Sequence, residues 1–209
     1  FVTRGALTSH FKLAPDTQLI ASGVDDDPII ERWWSIGAHS RRDVIAAMQA
    51  CGIAIATCPN SSLCLDCPRT ADLAAIKRIA ICYEEFTSAG LPAALHVNGR
   101  TDTDFARWAE LLKAHPSITH VSYEFTTGAA HAVRRPQHIA WLSKLAGYLD
   151  RPLDLIIYGD SSVAHALSAA FRTVTWIDTS SFIKAIHRQK ATRLGNGQLV
   201  WHPHPTEPH

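Results

Sequence analysis

Six short runs of apolar and β-branched residues recur along this chain, each followed by a longer stretch with helical spacing. They are residues 18–24 (QLIASGV), 52–57 (GIAIAT), 91–97 (LPAALHV), 118–125 (ITHVSYEF), 153–159 (LDLIIYG) and 173–178 (TVTWID). Runs this short and this apolar suit strands covered on both faces, as parallel strands between crossover helices are. Helical patterns follow over about 28–51, 70–89, 102–115, 136–149, 162–171 and 181–191. Asp102 is the expected N-cap of its helix, Pro136 suits a first helical turn, and Gly52 and Gly90 fall where helices should stop. The expectation is an α/β fold of repeated βα units with parallel strands and right-handed crossovers. An incomplete TIM-like (βα) barrel is favoured over an open doubly wound sheet. Neither the Gly-rich dinucleotide fingerprint nor a GxxxxGK[ST] phosphate loop follows any strand, which lowers the nucleotide-binding form of the open sheet without excluding the sheet itself. Residues 1–191 read as one domain and 192–209, with an Asn196-Gly197 turn and a Pro/His-rich end, as a C-terminal appendage.

A chain of 209 residues with 46% apolar content can bury one sizeable core. The formal charge of +1 supplies no net pull towards nucleic acid or an anionic membrane. No apolar run approaches the ~18 residues that span a bilayer, so no membrane partner is expected. No signal peptide is read at the start, and Phe1 suggests an excerpt or a processed chain. Five cysteines, an odd number beside a large core, argue against a secreted disulfide scaffold. A reduced, cytoplasmic setting is expected.

Polar residues gather where the runs end. The first leads into Asp25-Asp26-Asp27 and the second into Cys58-Pro59-Asn60-Ser61. The third delivers His96 and Asn98 and then turns at Gly99-Arg100. The fourth carries Tyr123 and Glu124 ahead of Thr126-Thr127-Gly128, the fifth ends at Tyr158-Gly159-Asp160, and the sixth ends at Asp178-Thr179. In parallel α/β folds these ends share one mouth, where ligands bind. Asp, Asn and Ser in such places are also ordinary helix caps and turn formers. Glu124 and His96 differ, because each lies inside the apolar period of its strand, where a cap has no use. An ionised carboxylate there needs a partner or an opening. Glu124, Asp160 and His96 are therefore the candidate catalytic residues. Asp25, Asn60, Asn98, Arg100, Tyr158 and Asp178 are the candidate substrate contacts, Arg100 as an anion binder or as a solvated turn residue.

Cys58, Cys64 and Cys67 form C-x5-C-x2-C after the second strand. Such a loop suits zinc, with Cys82 or a histidine as fourth ligand, or three irons of a four-iron cluster. The alternative is small apolar side chains in loop and core. The iron-sulfur option resembles the radical S-adenosylmethionine enzymes, which use incomplete barrels. Their spacing, C-x3-C-x2-C after the first strand, differs from this one. The six tryptophans read as core, and Arg41-Arg42 and Arg134-Arg135 as solvated surface pairs.

CPNSS, HVNGRTDTDFARW and YEFTTGA together resemble a bacterial domain family of unknown function with PN-x-S, H-x-N followed by D-x-x-x-W, and EF-x-TG. The likeness covers about residues 25–178 and makes Asn60, His96, Asn98, Glu124 and Gly128 motif positions. Members are associated with bacterial mobile elements or phage, which implies nucleic-acid-related work. The expected function is an enzyme that hydrolyses or transfers at a glycosidic or phosphate bond, on a small-molecule, nucleotide or nucleic-acid-related substrate. A divalent metal, zinc or an iron-sulfur cluster is the possible cofactor. The alternatives are a radical S-adenosylmethionine-like enzyme and a non-catalytic module that binds nucleic acid or a partner.

Overall fold

A computed structural model describes residues 3–64, 66–126 and 128–204. Six parallel strands lie in sequence order: β1 (Leu19–Ala21), β2 (Ile53–Thr57), β3 (Ala93–His96), β4 (His120–Phe125), β5 (Asp154–Gly159) and β6 (Thr173–Ile177). The sheet curls through 235° into a half-barrel. This is the expected incomplete barrel of βα units. Its edges are β1 and β6, which hydrogen-bond only β2 and β5 within the sheet.

The helices are α1 (Arg4–His10), α2 (Asp27–Ser35), α3 (Gly37–Ala50), α4 (Arg69–Ser88), α5 (Asp102–Ala114), α6 (Arg135–Gly147), α7 (Ser161–Leu167) and α8 (Ser180–Ile186). Periodicity explains their packing. In α4 the buried residues Asp72, Ala75, Ile79, Cys82 and Phe86 recur every three or four positions, so one stripe meets the sheet. In α5 the stripe is Phe105, Trp108, Ala109 and Leu112. These stripes pack against Leu95, Val97, Val121, Tyr123, Phe125, Leu155 and Ile157, the outward-facing side chains of β3 to β5. The alternate residues Ala94, Ile156 and Tyr158 form a second cluster with Val24, Ile55 and Ile177 on the concave face.

Several boundaries differ from the sequence reading. The single helix expected over 28–51 is two, because Gly37 takes a positive φ of 80° that breaks the helical course. Thr101, not Asp102, caps α5. Its hydroxyl accepts from the Asp104 N–H while Asp104 reaches back to the Thr101 N–H, a complete capping box. The last helix stops at Ile186, and residues 189–191 begin an antiparallel hairpin, β7 (Gln189–Arg193) and β8 (Leu199–Pro203), around the Asn196-Gly197 turn. The hairpin thus starts inside the part read as the main domain.

Two side-chain expectations also change. Arg41 is not a solvated surface residue. It is buried, its guanidinium donates to both Glu85 oxygens at 2.6 and 2.7 Å and to the Trp34 carbonyl at 2.8 Å. Trp176 lies on edge strand β6 and is 41% exposed, so it is not core. Among the described residues, no helix is long and apolar enough to cross a membrane.

Candidate functional site

The concave wall of β4 is polar throughout. Its outward residues Val121, Tyr123 and Phe125 are apolar, while the intervening residues are His120, Ser122 and Glu124. The register places His96 beside Ser122 and Glu124 beside Tyr158. Alternation therefore delivers His96, Ser122 and Glu124 to one face at the C-terminal end of the half-barrel.

His96 has no exposed surface. Its Nδ1 lies 3.3 Å from the Ser122 hydroxyl, and among the described residues Nε2 has no hydrogen-bond partner. Burial pushes the imidazole pKa down to about 4, against the opposing pull of the Glu124 carboxylate. The ring is thus neutral at pH 7, with one nitrogen a donor and the other an acceptor.

Glu124 is half-buried. Its Oε2 accepts from the Thr126 hydroxyl at 2.7 Å and from Asn60 Nδ2 at 3.4 Å. Asn60 in turn ties the site to β1: its Oδ1 accepts from the Asp25 N–H at 3.1 Å, and its own N–H donates to the Gly23 carbonyl at 3.0 Å. Gly23 has to be glycine here, since a Cβ would lie 2.4 Å from the Thr57 carbonyl oxygen. Two donors and a neutral imidazole beside one carboxylate can orient it to take a proton or to attack a polarised centre.

The other sequence candidates take more structural positions. Asn98 donates Nδ2 to the Ser61 carbonyl at 2.9 Å, and its own carbonyl accepts from Trp108 Nε1 at 2.8 Å. Arg100 Nε donates to the Leu63 carbonyl at 2.6 Å. Both therefore fasten the β2–α4 loop over the end of β3. Tyr158 is buried, with its hydroxyl 3.1 Å from Thr57 Oγ1 across the hollow. It fills the lumen below the site. Asp160 caps α7 through the Ser162 N–H at 2.9 Å and pairs with Arg135 at 3.2 Å; the Ser162 N–H and then the guanidinium hold its carboxyl below the usual range. Asp178 accepts from the Ser180 N–H at 2.8 Å. Asp25 accepts from the Asp26 N–H at 2.8 Å and its side chain is exposed. Gly128 opens a 3-10 turn, Gly128–Ala130, and Thr127 lies outside the described residues.

The three cysteines are not brought together. Cys58 is fully buried in the outer core, where burial raises its thiol and Cys82 is an electrostatic neighbour. Cys64 and Cys67 instead group with Asp66.

Ser122 and Thr126 were missed as site residues. The signal was present in HVSYEFT, where every second residue is polar. Asp104 does more than complete the capping box of α5. It is a hub that receives the Arg100 N–H, the Thr101 N–H and hydroxyl, and the Arg69 guanidinium.

Two cavities adjoin the sheet near these elements. One of about 130 Å³ lies behind β1 and β2, lined by Ser22, Asp25, Trp33, Thr57 and Pro59 among others. A larger one of about 420 Å³ opens on the concave face at the N-terminal ends of the strands, between Ile20, His120, Asp154 and Arg172. Neither has Glu124 or His96 in its wall. No family model matches the chain, and no curated protein matches it.

Proposed function

We propose that this chain is an enzyme in which Glu124 is the general base or nucleophile and His96 its neutral partner. The reaction is hydrolysis or transfer at a glycosidic or phosphate bond of a nucleotide or nucleic-acid-related substrate. One observation carries the reading. A half-buried carboxylate, oriented by Asn60 and Thr126, shares the inner wall with a fully buried imidazole whose Nε2 meets no described protein group. Buried polar atoms normally have partners, and an unpartnered one beside an oriented carboxylate suits a substrate atom that enters when the wall over His96 opens. The substrate class draws support from the motif likeness.

The test uses a panel of p-nitrophenyl glycosides, bis-p-nitrophenyl phosphate and short oligonucleotides. E124Q should reduce turnover of the responsive probe by about 100-fold or more while circular dichroism is unchanged. H96A should reduce it too. Turnover unchanged in E124Q overturns the assignment. Oligonucleotide binding without turnover, lost in E124Q, would make the same mouth a binding module instead.

A further inference from the structure

The loop from β2 to α4 contains a second chemical group that the acid-base reading does not use. Cys64, Asp66 and Cys67 each offer one ligand atom, and these atoms lie within 4.8 Å of one another. A tetrahedral zinc with bonds of about 2.3 Å to sulfur and 2.1 Å to oxygen needs ligand atoms roughly 3.5–3.8 Å apart. The side chains therefore need close in by no more than roughly an ångström. They are free to do so, since Cys64 is half-buried and Asp66 and Cys67 are exposed.

The backbone leading up to Cys64 is fastened. Leu63 is fully buried, and its carbonyl accepts from Arg100 at 2.6 Å. The Cys64 N–H donates to Asp72 at 2.9 Å, and the Ser61 carbonyl accepts from Asn98 at 2.9 Å. A ligand held at Cys64 beside two exposed ligand side chains gives a metal site one fixed point to assemble on.

We propose that Cys64, Asp66 and Cys67 form a zinc site with three protein ligands and an open fourth position. Two thiolates favour zinc over magnesium or calcium, which prefer oxygen alone. Both thiols lose their protons on binding, so two protons pass to solvent for each ion taken up. A three-ligand site leaves a coordination position for water or substrate, as catalytic zinc sites do. Cys58 is not a ligand. The inference is independent of the role given to Glu124.

The experiment titrates the reduced, chelator-treated full chain with Co²⁺ under anaerobic conditions and then with Zn²⁺. One equivalent of Co²⁺ should produce thiolate-to-cobalt charge transfer and tetrahedral d–d bands, and one equivalent of Zn²⁺ should erase them. The double variant C64S/C67S should lose the bands with its circular dichroism intact. D66N should weaken binding by about tenfold or more, at least what loss of an outer-sphere partner costs. C58S should keep the bands, with C58A used if the serine variant does not fold. The proposal is overturned by folded wild-type protein that gives no thiolate band. Bands that persist in C64S/C67S, or that vanish in a folded Cys58 variant, overturn it as well. So does a Cys64–Cys67 disulfide that withstands reductant in the presence of Zn²⁺, seen as a two-hydrogen loss in mass.

Discussion

Acidification from about pH 7 to about pH 5 should destabilise this fold through two imidazoles buried in their neutral form. Burial depresses His96 from 6.5 to about 4, and burial, then Arg100 and Arg134, does the same to His138. Both rings are at most 4% exposed. Between these two pKa values the unfolded chain binds a proton that the folded chain refuses. The contribution to stability is therefore complete above 6.5 and is lost as pH falls towards 4. At about pH 5 the linkage relation gives a loss of about 2 kcal/mol per ring, or about 4 kcal/mol for the pair. With a urea slope of about 2 kcal/mol per molar, the unfolding midpoint should drop by roughly 2 M between the two pH values. Equilibrium urea denaturation followed by tryptophan fluorescence reads this directly. H96Q should show about half the drop, because one of the two titrating sites is gone. A wild-type midpoint indifferent to pH in this window, or an H96Q variant with the full drop, would refute the assignment of a neutral buried His96.

Two further substitutions probe the frame around the site. D104A removes a buried carboxylate that collects the Arg100 N–H, the Thr101 N–H and hydroxyl, and Arg69. It should cost about 3–4 kcal/mol, because it strands several donors at once, and thermal unfolding should show it; a loss below about 1 kcal/mol, the size of a single cap, would contradict the hub. G23A places a Cβ 2.4 Å from the Thr57 carbonyl oxygen and must push the end of β1 from the loop that carries Asn60. It should cost about 1–3 kcal/mol and lower turnover of the responsive probe, and unaltered turnover would separate Asn60 from the catalytic arrangement.

The fold was legible because six apolar runs at regular intervals admit few arrangements besides a curled parallel sheet. The polar wall was legible only in part. In HVSYEFT the alternate polar residues mark the concave side of β4, but read as one apolar run the pattern hides Ser122. His96 and Glu124 stood out because neither had a use as a cap. Asn98 and Arg100 looked like substrate contacts, yet both bond carbonyls of a loop almost forty residues earlier in the chain. No local pattern reveals such a partner. The same is true of Arg41, whose burial depends on Glu85 in another helix. Residues 189–191 read as helix from their neighbours and became strand because β8 lies beside them; tertiary pairing overrode local preference.

The sheet stops short of a full circle, so its hollow has a flank as well as an end. In a closed barrel, whatever reaches the inner wall must enter along the axis, and it must be small or present a terminus. Here, among the described residues, β1 and β6 each have one strand neighbour, so a long, continuous molecule can approach the half-buried Glu124 from the side, with His96 and Ser122 buried behind it. The gap sets aside the need to thread, and the interior of a polymer is as admissible as its tip.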